Sequence, residues 1–213
     1  MAEIIDSSTW KRKEIFDFFS RVSNPFYMVS FMIDVTPVYH YTKQKHCSFY
    51  YTMIYLVTKA INDVEAFCYD MEEDQIILHE KRMPSFTDRK KDSELFYIVT
   101  MPCDSDLDTF VEQASQVSKN QDCFILPAST NALIYFSCLP TLDMTALTNE
   151  RDFDADDSIP RITWGKYKKE KDTVQLNISL EVNHRLIDGY HIEKFQEVLF
   201  ARMNALFDGK EVS

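Results

Sequence analysis

The alternation of apolar and polar residues is clearest near the end of the chain. From Val174 to Val182 the even positions are Val, Leu, Ile, Leu and Val, while Gln175, Asn177, Ser179 and Glu181 fill the odd ones. A period of two over that length predicts a strand with one buried face. His184 keeps the even parity, so its ring is expected on the buried side at the strand's end. The turn from Arg185 to Gly189 follows, with Gly189 expected to take positive φ. Beyond it Ile192, Phe195, Leu199 and Leu206 recur on one stripe of a predicted helix.

Earlier in the chain the first helix is predicted from Ser8 to about Val22. Ser8 can cap it, and Trp10, Ile15, Phe18 and Phe19 fall near one face. Phe26 to Val35 alternates loosely, as a strand does. Tyr51 to Phe67 places Ile54, Tyr55, Val57, Thr58 and Ile61 at helical spacing. Gln75 to His79 reads as a short strand, and Leu95 to Met101, apolar on both faces, as a central one. Asp106 opens a helix through Val117, with acids where the helix dipole favours them. Ala132 to Leu139 is a further strand, and the acid-rich stretch 143–158 reads as an exposed loop. No linker, low-complexity stretch or repeat divides residues 1–213, which read as a single domain. Helices and strands mix without strict alternation. The expected fold is therefore α/β, a two-layer sandwich with a large mixed β-sheet.

Composition narrows the function. A domain of 213 residues hides roughly 70% of its unfolded surface, so it needs neither disulfide nor metal to fold. Aromatic residues reach 14%, which calls for a ring-rich core or pocket. A net charge of −11 argues against nucleic acid as a partner. There are 3 glycines, Gly165, Gly189 and Gly209, so neither a G-x-G-x-x-G fingerprint nor a Walker loop can exist. Dinucleotide folds of that type and phosphate-loop ATPases are excluded. Cys47, Cys68, Cys103, Cys123 and Cys138 form no C-x-x-C pair; they fit reduced thiols, and no metal site is expected. The N-terminal segment has no apolar core of a secretory signal, and no apolar run has the length of a membrane span. The expectation is a cytoplasmic protein with no membrane partner.

The candidate chemistry sits on His184, Asp188 and Gly189, spaced H-x-x-x-D-G. A single histidine is more often a half-buried structural residue than a base. Its place at a strand end before a turn shifts the balance toward function. The segment VNHRLIDGYH, with its preceding strand and following amphipathic helix, resembles the C-terminal signature of the chloramphenicol acetyltransferases. The likeness extends over almost the whole chain. TWKRKEIFDFF resembles that family's opening helix and MIYLVTKAIN its second. SFTDRKKDSELF and DSDLDTF resemble the central strands, and YFSCLP and PRITWGKYKKE the two segments before the histidine strand.

The resemblance implies direct transfer of an acetyl group from acetyl-CoA, a co-substrate and not a permanently bound cofactor, to a hydroxyl of a small molecule. A hydroxyl is a poor nucleophile at neutral pH, so a neutral imidazole must take its proton, and His184 matches that base. The matching oxyanion donor is the hydroxyl of Ser137, and Thr163 matches a threonine that helps hold the intermediate near the cofactor. Asp188 matches a carboxylate that pairs with an arginine of the first helix, here Arg12, to brace the histidine loop. Lys166 and Tyr167 match residues near coenzyme A, although Lys166 to Lys171 reads equally well as a solvated hairpin. Phe18, Phe19, Thr87 and Phe96 match the lining of the chloramphenicol site. The resemblance also implies a homotrimer in which His184 of one subunit meets the acceptor pocket of its neighbour.

The acceptor side departs from the family. Asn149, Arg151 and Arg161 fall near positions that are apolar there, and a buried arginine costs several kcal/mol unless paired. Chloramphenicol or a related hydroxylated acceptor is the expected substrate class, with chloramphenicol itself expected to be weak. Two other readings compete. The dihydrolipoyl acyltransferase core carries a similar D-H-R-x-x-D-G motif, and a non-enzymatic ligand binder could share the scaffold.

Overall fold

The computed structural model describes residues 2–72, 75–90, 93–151 and 156–207. In chain order the first half holds strand β1 (Glu3–Ile5), helix α1 (Lys13–Phe19), strand β2 (Phe26–Asp34) and helices α2 (Thr36–Lys45) and α3 (Phe49–Asn62). A 3-10 turn over Glu65–Cys68 leads to strands β3 (Tyr69–Glu72), β4 (Gln75–Leu78), β5 (Met83–Arg89) and β6 (Phe96–Thr100). Helix α4 (Leu107–Asn120) and strands β7 (Leu133–Cys138), β8 (Arg161–Trp164), β9 (Lys168–Glu170) and β10 (Thr173–Asn183) follow, and helix α5 (Gly189–Phe207) closes the order.

Seven strands form one sheet in the order β2-β10-β8-β7-β5-β6, with β9 paired to the start of β10. Strand β7 runs parallel to β5 and β8, and the other pairings are antiparallel. The sheet is mixed, as the sequence predicts. A second, antiparallel sheet has the order β1-β4-β3. Arg82, 1% exposed, ties the two together: its guanidinium donates to the carbonyls of Tyr69 and Leu133, at 2.7 and 3.2 Å.

One face of the large sheet is covered by helices. Leu176, Ile178, Leu180 and Val182 of β10 are buried there beside Ile162, Trp164, Ile134, Phe136 and Phe86. The α5 stripe of Ile192, Phe195, Leu199 and Met203 is buried as well, with α5 packed on α2 and α3. Because side chains alternate across a strand, the register fixes the opposite face. There Glu181, Arg161, Tyr135, Ser85 and Thr100 form one row across five strands. Ser179, Thr163 and Ser137 form the next row, with Thr87 one residue past the Phe86–Phe136 pair.

Several sequence expectations change. Helix α1 begins at Lys13, not Ser8, because the Ser8 hydroxyl turns back to Asp6 Oδ1 at 2.7 Å instead of capping. Trp10 and Phe16 pack on the core, whereas Ile15 and Phe18 are exposed. The helix predicted from Tyr51 to Phe67 starts at Phe49, stops at Asn62 and yields to the 3-10 turn. The 95–101 strand is an edge, not central; its outer residues line a cavity, which explains apolar groups on both faces. Helix α2 and strand β5 carry no clear periodicity, since α2 buries only Val38 and Thr42 and β5 begins Met-Pro-Ser. Gly189 is the first residue of α5; among the described residues the positive-φ positions outside glycine are His46 and Lys171. Gly165 instead serves a close approach, since a Cβ there would come 2.6 Å from the Leu142 carbonyl oxygen.

The segment 143–151 is irregular, as expected, but it does not simply face solvent. It runs along the polar face of β10, so Ser179 and Glu181 are buried. The Leu147 amide donates to Ser179 Oγ at 3.2 Å, and the Asn149 amide to Glu181 at 2.6 Å. Residues 152–155 of the predicted loop lie outside the described residues.

Candidate active site

The last residue pair of β10 with β2 places His184 next to the chain's first helix. The His184 amide donates to the Pro25 carbonyl at 2.8 Å. The imidazole stacks on Phe19, with centroids 3.9 Å apart, and lies 4.4 Å from the ring of Tyr27. The ring is thus held between two aromatics at the sheet's end and only half-buried, whereas parity alone predicts the buried side.

Arg12, just before α1, clamps the loop that follows. Its Nη1 donates to Asp188 Oδ2 at 2.6 Å, its Nε to the Arg185 carbonyl at 3.1 Å and its Nη2 to the His184 carbonyl at 3.3 Å. Asp188 Oδ1 accepts the Tyr190 amide at 3.1 Å. Burial pushes the Asp188 carboxyl up, but the Arg12 bond and the nearby charges more than offset it and hold it below its ordinary value. Burial and the Arg12 charge lower His184 from 6.5, against a smaller opposing pull from Asp188. The imidazole is therefore neutral at pH 7, the form that can accept a proton.

A cavity of about 1020 Å³ opens on the sheet's uncovered face. Ser137, Thr87 and Phe96 line it, whereas Phe18 and Phe19, expected beside Thr87 and Phe96, do not. One wall is apolar, where Phe96 and Phe124 meet edge to face with centroids 5.5 Å apart. The other carries Asn149, Arg151 and Arg161. Arg151 Nη1 and Arg161 Nη2 both donate to Asp157 Oδ2, each at 2.7 Å. Arg151 also donates to the Ile159 carbonyl and lies over the Phe26 ring, its guanidinium carbon 4.2 Å from the centroid. Burial pulls the Arg151 guanidinium below its ordinary value, and Asp157 opposes that shift. Thr163 is fully buried beneath Asn149, whose amide nitrogen donates to the threonine hydroxyl at 3.1 Å and to Glu181 at 2.7 Å.

Within one chain the predicted residues form two groups. Ser137 pairs with Thr163, and Thr163 with Ser179. His184 lies five residues beyond Ser179 on β10. Strand rise and spacing put the base roughly 20 Å from Ser137 within one chain. His184, Arg12, Asp188, Phe18 and Phe19 share one end of the sheet, while Ser137, Thr87 and Phe96 share the cavity. Lys166 and Tyr167 follow β8 on the Ser137 side. Lys166 is exposed, and Tyr167 packs on Tyr39 and Phe49 with centroids 5.6 and 5.2 Å apart. Lys168 pairs with Asp143 at 2.9 Å, and Lys169 donates to the Tyr39 hydroxyl, so part of this cationic run is already paired within a hairpin.

Tyr27, Phe124 and Asp157 escape the sequence reading. Phe124 opens a compact Phe-Ile-Leu-Pro run that could have marked a pocket rim, but Asp157 is one acid among many.

The model of the family described as chloramphenicol acetyltransferase matches residues 2–200. A chloramphenicol acetyltransferase of Bacillus pumilus is 27% identical over 192 residues, covering 88% of this chain and 87% of its own. One of Staphylococcus aureus is 30% identical over 197 residues, covering 90% of each chain. A solved chloramphenicol acetyltransferase superposes with a TM-score of 0.85 at 24% identity, covering 93% of this chain and 98% of its own. A probable dihydrolipoamide acetyltransferase of Listeria monocytogenes shares the fold more distantly, with a TM-score of 0.61 at 13% identity over 95% of this chain and 93% of its own. By the match over nearly its full length, and by the two-layer α/β fold with its large mixed sheet, this chain belongs to the chloramphenicol acetyltransferase family.

Proposed function

We propose that residues 1–213 form a single acetyltransferase domain that moves the acetyl group of acetyl-CoA directly to a hydroxyl of a small molecule. The observation that carries this reading is the imidazole of His184, stacked on Phe19 beside the Arg12 clamp at the end of β10, where burial and the Arg12 charge favour its neutral form. In the reaction His184 takes the hydroxyl proton as the oxygen attacks the thioester carbonyl. The Ser137 hydroxyl donates to the resulting oxyanion, which collapses by breaking the carbon–sulfur bond. The proton then passes from the imidazolium to the coenzyme A thiolate. Lys166 and Tyr167, next to β8, stand where the cofactor would run toward Ser137. Thr163 can act on the intermediate only if Asn149 yields, because that amide occupies its hydroxyl. Chloramphenicol is the acceptor named for the relatives, and resistance to it is the physiological role this family membership suggests. Use of acetyl-CoA supports a cytoplasmic location; separately, no helix among the described residues is long and apolar enough to cross a membrane. Thiol release from acetyl-CoA, followed across chloramphenicol and other hydroxylated acceptors, tests the activity; no release with any of them refutes it.

The roughly 20 Å between His184 and Ser137 in one chain favours a site shared between subunits, and the family resemblance makes that assembly a homotrimer, where His184 of one chain faces the cavity of the next. A heterologous contact that closes into a ring gives each interface one copy of each half. Three 25.1 kDa chains would sediment at about 75 kDa, against a very large cage for a dihydrolipoyl acyltransferase core. Mixed trimers provide the sharper check. Chains carrying His184→Ala and Ser137→Ala, each nearly inactive alone, should regain about a quarter of wild-type activity when reassembled together, because random rings rebuild that share of intact interfaces. No recovery on mixing would place both halves of the site in the same chain.

Ser137→Ala should lower kcat by about 10–1000-fold with little change in KM, the mark of a donor used in the transition state. A raised KM with kcat unchanged would reduce Ser137 to a substrate contact.

A further inference from the structure

Resting on the acetyl-transfer reading, we propose that the acceptor carries an anionic group of the carboxylate class, seated against Arg151 and Arg161. Both side chains are nearly buried, at 2% and 12% exposure, and both line the cavity. They converge on one oxygen of one carboxylate, Asp157 Oδ2, whose other oxygen accepts the Ile159 amide. The nearby Glu181 carboxylate is bonded by the main-chain and side-chain amides of Asn149. Glu150, the other charged residue lining the cavity among the described residues, is exposed. The Nε–H groups of Arg151 and Arg161 are buried and have no hydrogen-bond partner among the described residues.

Two guanidiniums that share a single carboxylate on a cavity wall form a matched receptor for a planar anion. Placement agrees with the chemistry. Arg161 precedes Thr163 by two residues on β8, next to Ser137 on β7, so its Cα is about 8 Å from that of Ser137. A hydroxyl at Ser137 and an anion at Arg161 would thus belong to opposite ends of one small molecule. The aromatic wall of Phe96 and Phe124 fits a ring between them.

The test compares 3-(hydroxymethyl)benzoate with 3-(hydroxymethyl)benzamide, a pair of equal shape that differs in charge. Binding to the wild-type protein is measured by calorimetry, and thiol release from acetyl-CoA by kcat/KM. The acid should bind and react at least tenfold better. In Arg161→Gln that ratio should fall toward one through the KM of the acid, and Arg161→Lys should keep part of it. Equal or tighter binding of the amide to wild type overturns the proposal, as does a preference that survives Arg161→Gln. Should the acid bind tenfold tighter while no hydroxyl, chloramphenicol included, releases thiol, the anion site stands and the transfer reading fails. Thiol release that favours the amide sinks the anion site and leaves transfer intact.

Discussion

His184→Ala is expected to lower kcat by about 10²–10⁴-fold while acetyl-CoA still binds. The imidazole acts on the acceptor's proton, so its loss removes the base and leaves the residues toward the Ser137 end of the sheet untouched. His184→Gln should be as inactive, since glutamine fills the slot between Phe19 and Tyr27 but accepts no proton at neutral pH. The pH profile carries independent information. Burial and the Arg12 charge lower the imidazole from 6.5, and only the neutral ring is active. Activity should therefore rise with pH through an inflection below 6.5. Retention of more than a tenth of kcat in His184→Ala, or an inflection above 7, would show that another group takes the proton.

The sequence carried the frame of the molecule where burial is one-sided. The period-two run of β10 and the α5 stripe are clear because each presents one apolar face to the same core. Strand β6 misled for the opposite reason. Phe96 and Ile98 are apolar because they line a cavity, and alternation cannot separate a ligand face from a core face. Helix α2 was invisible because its neighbours cover only Val38 and Thr42. The polar residues of β10 looked like a solvent face, yet Ser179 and Glu181 are buried under the 143–151 segment and satisfied by its amides. Such a polar-on-polar layer has no hydrophobic pattern to find.

The site was legible residue by residue, and the resemblance implied its division between subunits, but no motif carries a distance. His184, Asp188 and Arg12 came from a local motif and a resemblance, and the clamp joins all three. What the sequence could not provide was distance. Only the strand order and register show that His184 and Ser137 stand roughly 20 Å apart in one chain. Pairing of Arg151 with Arg161 through Asp157 was hidden for a similar reason. The cost of a buried arginine predicted a partner, and several nearby acids could have filled that role.

Arg12→Ala should destabilise the protein by about 3 kcal/mol, the lower end for breaking a buried ion pair, because the pair is 11% and 27% exposed. In a chain of this size that corresponds to a Tm lower by roughly 6–12 °C. Asp188 would keep its Tyr190 bond but lose the guanidinium that offsets its burial. The wild-type pair contributes stability above the ordinary carboxylate value of 3.8 that is lost as pH falls through the lower folded value, so the two proteins should converge in stability in acid. Arg12 also donates to the carbonyls of His184 and Arg185, which makes it a positioning residue for the base. Its loss should therefore lower kcat more than it raises KM, even at temperatures where the variant is fully folded. Arg12→Lys restores the charge but not the three-way fork, so it should recover most of the lost Tm and less of the lost kcat. A variant with Tm lowered but kcat unchanged would show that the clamp only holds the fold. Unchanged Tm and kcat together would show that solvent already screens the pair.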